Sequence, residues 1–264
     1  MRIFIGPTEI AGIATGLCAG FDKINVKAEV ILNGPHPFGY GKFLEQNWLI
    51  RSWLRLRVFN QRTSRSQIIR KLFFALSSRL CSILAVIWCL QRFDAFIFIF
   101  GHTITNTRLE LWLMRVLRKR IIFLYLGSDA RPPYIDGAVF PDGCPVDADK
   151  TKSIAARIKR RLKFQEKYAD ACINSPTTAQ FQEKPFINWF EIGLPKDVSG
   201  YPSYEVNSQS EQKIRILHSP SNPLAKGTPI ILSAIDKLRD KGYPIELVKI
   251  EGMPNSKVLE ELAQ

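Results

Sequence analysis

The ten residues "HSPSNPLAKG", His218 to Gly227, place an imidazole, two hydroxyls, an amide and an ammonium group between an apolar strand, "KIRIL", and an amphipathic helix. A helix start presents backbone N–H groups without intrahelical partners and the positive end of the helix dipole. With Lys226 beside it, such an end attracts an anion, and phosphate or diphosphate is the natural ligand class. The ligand-facing candidates are His218, Ser219, Asn222, Lys226 and Gly227. Thr228 is expected to cap the helix, Pro229 suits its first position and Gly242 falls just past its end. Ile230, Ile231, Ala234, Ile235 and Leu238 form the face expected to pack on a sheet. The same stretch also fits a purely structural turn in which His218 serves loop carbonyls.

Two further polar clusters follow apolar runs earlier in the chain. "AFIFIF", Ala95 to Phe100, ends in "GHT" with His102, and "IIFLYL" ends in "GSDARPPY" with Ser128, Asp129 and Arg131. Ligand groups in open α/β sheets gather at the carboxyl ends of strands, so these positions are candidates too. Each has a structural reading, Asp129 as a turn or helix cap and His102 as a strand-end hydrogen-bonding residue. Near the start, Gly12 and Gly16 lie four apart at a helix beginning, where missing side chains allow close packing or close approach of a ligand. The turn "GPTEIAG" is not a Gly-x-Gly-x-x-Gly fingerprint and gives no argument for NAD or FAD.

The elements that must hold these residues alternate between strand and helix. "RIFIG", the helix "AGIATGLCAGFDKI" and "VKAEVIL" form a βαβ unit, which implies a parallel sheet. The helix "TRLELWLMRVLRK", with its leucines, Trp112 and Met114 inward, a basic helix, "DACINS" and a last strand "PFINWFEIG" complete one open-sheet domain over residues 1–193. The polar, turn-rich stretch 194–212 reads as a linker, and a second strand–helix–strand series occupies 213–264. Between them these elements specify the α/β class.

The chain has 264 residues, 46% of them hydrophobic, and a net charge of +13. Between Glu45 and Asp94 there are nine Lys or Arg residues and no carboxylate, and "RIKRRLK" at 157–163 adds a second basic cluster. Both are read as surfaces for an anionic partner or as solvated charged faces. Residues 44–90 look helical with a break near "NQRTSRS". Within them Leu72 to Leu90 carries one charge, Arg79, and is expected to lie in the core or on a membrane surface rather than to span. Trp48, Trp53 and Trp88 and the basic block suit attachment to an anionic leaflet. No recognition-helix motif or aromatic–basic strand surface supports nucleic-acid binding. The five cysteines lack Cys-x-x-Cys spacing and read as free thiols, and the opening "MRIFIGPTEI" is too short for a signal-peptide core.

The stretch "ILHSPSNPLAKGTPIILSAIDKL" with "IELVKIEGMPNSKVLEEL", together with "FIFIFGHT", "FLYLGSDAR" and "DACINSP", resembles glycosyltransferases of the GT-B fold, close to family 4, over essentially the whole chain. The resemblance implies two Rossmann-like domains, an acceptor-side unit and a nucleotide-sugar unit, with transfer of a sugar to a lipid-linked or polysaccharide acceptor at the cytoplasmic membrane face. It implies no bound metal or cofactor, because cationic side chains and a helix end neutralise the departing diphosphate. Lys226 matches the family's phosphate-binding Lys, and Gly12, Ser128, Arg131, His218, Ser219, Asn222, Gly227 and Gly252 complete the candidate substrate- and donor-binding residues. His102 and Asp129 are the catalytic candidates. Two departures stand out: Leu126 occupies the place of the usual His, and no Arg precedes Lys226 in its loop. The second unit reads as an incomplete donor domain with most of the donor site missing, so the expectation is a truncated enzyme that is inactive as this fragment. A non-catalytic carbohydrate- or lipid-binding protein derived from the same fold is the alternative.

Overall fold

The computed structural model describes residues 1–34, 38, 47–62, 68–136, 147–196 and 214–262. They contain two parallel sheets. The larger has six strands, β1 (Arg2–Gly6), β2 (Lys27–Val30), β3 (Ala95–Ile99), β4 (Arg120–Leu124), β5 (Ala171–Asn174) and β6 (Ile187–Asn188), in the order β2-β1-β3-β4-β5-β6. Its crossovers carry α1 (Ile13–Lys23), the pair α2 (Trp48–Arg62) and α3 (Ile68–Arg92), α4 (Arg108–Val116) and α5 (Ala148–Tyr168), and α6 (Trp189–Ile192) follows β6. The smaller sheet joins β7 (Ile214–His218) to β8 (Ile245–Lys249) through α7 (Thr228–Asp240), and α8 (Asn255–Leu262) follows. The α/β class and the first unit's Rossmann-like sheet are as the sequence implies.

Helices on both faces explain why β3 is buried at every position. In-register neighbours alternate between the faces: Phe4 pairs with Phe96 and Phe98 with Phe123 on one side, Ile5 with Ile97 on the other. The aromatic side is a ladder of rings, Phe4 to Phe96 at 5.3 Å and Phe98 to Phe123 at 5.4 Å between centroids. Trp53 and Leu54 of α2 and Ala85, Val86, Cys89 and Leu90 of α3 join this side of the core. Only the last part of α3 is therefore buried, and Ile68, Ile69, Leu72, Phe73, Leu76 and Leu80 lie exposed along the rest. By length and composition α3 could cross a membrane, but its C-terminal end is committed to the sheet.

Several local expectations change. "PFINWFEIG" supplies a strand of only two residues, because the Asn188 side chain accepts from the Phe190 amide and starts a helical turn. In α4 Trp112 is exposed and Glu110 is buried in its stead. Gly16 is met by the Pro195 carbonyl, so its missing side chain serves a passing chain segment rather than the sheet. In α7 Ile235 is buried while Ile230 stays exposed, since two strands cover only part of the helix. Cys18, Cys81, Cys89 and Cys172 are free thiols. The break at 63–67, residues 35–37 and 39–46, most of the linker, Lys213 and Cys144 lie outside the described residues.

Candidate functional site

From β1 the chain runs outward to β2 and then returns to β3 on the opposite side of β1. Such a reversal opens a crevice at the carboxyl ends of the two strands, where α/β sheets hold ligands. The loops leaving β1 and β3 meet there, and Thr8 Oγ1 lies 3.2 Å from His102 Nδ1. His102 is half-buried, and desolvation, Arg161 and Arg57 hold its pKa below the ordinary histidine value. The ring is thus kept neutral, and its Nε2 has no hydrogen-bond partner among the described residues. A neutral imidazole with a free ring nitrogen can take a proton from a hydroxyl. Because the folded pKa is depressed, the unfolded chain takes up the proton first as pH falls, and stability present above the ordinary value is lost through that window. Comparing urea midpoints from about pH 7.5 to about pH 5, the fall will be smaller in His102→Gln than in the wild type.

Two buried carboxylates shape the loops around this crevice. Glu9 accepts from the Ala14 and Thr15 amides at 3.2 and 3.1 Å and from Thr15 Oγ1 at 2.7 Å, so the start of α1 is occupied by the chain's own anion. Gly12 precedes that helix with φ of 83° and no capping side chain. Glu110 accepts from Thr103 Oγ1, the Ile104 and Thr105 amides and Thr105 Oγ1, at 2.8, 2.9, 2.8 and 2.6 Å. It fixes the loop that begins beside His102. Burial pushes the Glu110 pKa up, and these donors pull against it. The sequence reading passed over both.

At the end of β4, Asp129 turns inward. Its Oδ1 accepts from the Leu126 and Gly127 amides at 3.0 and 2.9 Å, while Oδ2 is buried without a partner among the described residues. Burial raises its pKa. Asp129 therefore holds its own turn, whereas Ser128 is half-buried and Arg131 pairs with Asp136 at 3.0 Å. The Arg161 guanidinium donates to the Asp129 backbone carbonyl and faces His102, linking the ends of β3 and β4. The sequence shows Arg161 only as one charge in a basic helix.

The remaining candidates lie on the smaller sheet. Because β7 and β8 are parallel, with His218 opposite Lys249, the loop after β7 and Gly252 after β8 share one edge. Gly227, left-handed at φ 66°, precedes α7, and Thr228 is the first helical residue instead of the cap. The Thr228 hydroxyl is engaged by His218 Nε2 at 2.8 Å, and its amide by the Pro223 carbonyl at 2.9 Å. The Lys226 amide goes to the Asn222 carbonyl, and Asn222 Oδ1 accepts from Ala225. Pro229 has no N–H to offer. The turn thus consumes much of the donor array expected to cradle an anion, leaving the exposed Lys226, Ser219 and Asn222 side chains. Gly242, at φ 87°, stands just past the helix as expected.

Among the described residues no three His, Cys, Asp or Glu side chains converge as a metal site would require. The candidate residues form two groups: Thr8, Gly12, His102, Asp129 and Arg161 at the ends of the first sheet's strands, and His218, Lys226, Gly227 and Gly252 at the second's. No protein-family model matches the chain, and no curated protein matches its sequence.

Proposed function

We propose that the chain is a glycosyltransferase of the GT-B type that moves a sugar from a nucleotide-sugar to a lipid-linked or polysaccharide acceptor at a membrane surface. What carries the reading is the order of parts: a six-stranded parallel sheet with His102 at its switch point, then a second parallel β–α–β unit whose carboxyl edge bears Lys226, Gly227 and Gly252. In this proposal His102 accepts the proton of the acceptor hydroxyl as the new glycosidic bond forms. The bond to the nucleoside diphosphate breaks, and Lys226 stabilises the charge that leaves with it. The apolar face of α3 and the arginines of α2 hold the first unit against an anionic leaflet. No nucleic-acid partner is part of the proposal.

Incubation with a panel of labelled UDP- and GDP-sugars and a membrane lipid extract tests it. Label is expected in the lipid or polymer fraction, with His102→Gln slowing transfer by roughly a hundredfold. No transfer from any donor, together with no binding of UDP or GDP, overturns the enzymatic reading. The alternative, a non-catalytic glycan- or lipid-binding protein, is favoured by the self-bonded turn before α7 and would show as acceptor binding without turnover.

A further inference from the structure

Between α4 and α5 lies a cavity of about 310 Å³ whose charged lining is entirely cationic. Arg108 comes from α4, and Arg157, Arg160 and Arg161 come from α5 at spacings that put all three on one face of the helix. The floor is apolar, with Arg108 held over the Phe164 ring at 5.2 Å. Arg161 rests against Gly101, where an added Cβ would sit 3.4 Å from the guanidinium, and its Nε is buried without a partner among the described residues. Four guanidinium groups around one hollow repel each other, and no carboxylate lines the hollow to offset them.

We propose that this cavity binds a phosphate or diphosphate group, carried either by a soluble compound or by a lipid headgroup. Guanidinium forks match phosphate oxygens in pairs, and the half-buried Arg161 stands at the back of the recess behind the exposed Arg108, Arg157 and Arg160. The site is separate from the loop at Lys226 and does not depend on the transferase reading. An anion against Arg161 also cancels part of the field acting on His102, so occupancy shifts the His102 titration to higher pH. Arg161 from α5 and Arg57 from α2 are the charged groups that set that field.

Calorimetric titration of inorganic pyrophosphate into the wild type, Arg108→Ala/Arg157→Ala and Lys226→Ala tests the proposal. Both substituted arginines are exposed, so the double variant is expected to keep the wild-type melting profile. The wild type and Lys226→Ala will bind, and the double variant will bind roughly tenfold or more weakly. The chain has three histidines, so the His102 ring is readily followed by NMR, and its midpoint will rise with pyrophosphate in the wild type. Absence of binding, equal binding by the double variant, or an unmoved His102 overturns the site. If the double variant does not fold, the His102 shift in the wild type still decides. Flotation with phosphatidylcholine vesicles bearing a diphosphate-headed lipid, against charge-matched phosphatidylglycerol vesicles, separates the sources. Selective capture lost in the double variant assigns a lipid-borne group, and equal capture of both vesicle kinds assigns a soluble one.

Discussion

Replacing Glu110 with alanine will lower the free energy of unfolding by about 3 kcal/mol or more, and urea denaturation followed by circular dichroism will show it. Four donors converge on this one carboxylate, two amides and two hydroxyls at 2.6 to 2.9 Å. Each bond to a charged acceptor contributes about 1.5–3 kcal/mol, offset by the burial of the carboxylate itself. Removing the acceptor strands the donors in a buried loop, where water reaches them poorly. Glu110→Gln keeps one acceptor oxygen and will lose less. Trp112→Ala, on the exposed side of the same helix, will change stability by about 0.5 kcal/mol or less. Because the loop begins next to His102, Glu110→Ala will also loosen the Thr8–His102 contact, visible as a His102 resonance shifted toward its free-peptide position. Equal stability of Glu110→Ala and Trp112→Ala would refute the assignment of Glu110 as the loop's organiser.

The second large effect concerns the face of α3. In flotation at low salt, the wild type is expected to rise with phosphatidylglycerol-containing vesicles and Leu72→Glu/Phe73→Glu to remain in the dense fraction. Leu72 and Phe73 are exposed in a row of apolar side chains that runs from Ile68 to Leu80, far more than a soluble surface usually shows uncovered. Burying one such side chain in the acyl region contributes about 1.5–3 kcal/mol, so losing two and adding two charges weakens partitioning by a hundredfold or more. In the proposal, Arg51 and Arg55 of α2 and Arg70 and Lys71 of α3 supply attraction that salt screens. Added salt will therefore reduce binding by the wild type without abolishing it. Since Ala85, Val86, Cys89 and Leu90 remain in the core, the proposal has the helix lie on the bilayer with its free part rather than cross it. A wild-type protein that ignores anionic vesicles at low salt contradicts this account.

The first sheet was readable because "AFIFIF" and "IIFLYL" are continuous apolar runs, the pattern of strands covered on both faces. The second strand–helix–strand unit was readable for a different reason, its Pro and Gly punctuation. What escaped reading was polar. Glu110 sits among leucines on a helix whose periodicity favours Trp112 as the inward residue, yet the hydroxyls and amides of 103–105 outbid the indole for the buried position. "TRLE" was the available signal, a Thr followed three residues later by Glu, although in the fold the Glu110 carboxylate reaches Thr105 rather than closing back on Thr107. Arg161 could not be singled out within "RIKRRLK", because only the packing of α5 against Gly101 tells it from its neighbours. At Thr228 the cap rule gave way to a tertiary bond, since the ring of His218 at the end of β7 takes the hydroxyl. Asp129 shows the limit of residue type: a carboxylate at a strand end reads equally as catalyst or turn former, and here both amides of its own turn point at it.

The central claim is that the loop between β7 and α7 receives the diphosphate of a nucleotide-sugar. Calorimetric titration of UDP and of GDP into the wild type and Lys226→Ala addresses it directly, with Arg108→Ala/Arg157→Ala as the control for the cavity between α4 and α5. The account predicts that one of the two nucleotides still binds the arginine double variant, in which the cavity is disabled, and that adding Lys226→Ala to that variant weakens binding roughly tenfold or more. Failure of both nucleotides to bind that variant, or binding that the added Lys226→Ala leaves unchanged, would contradict it.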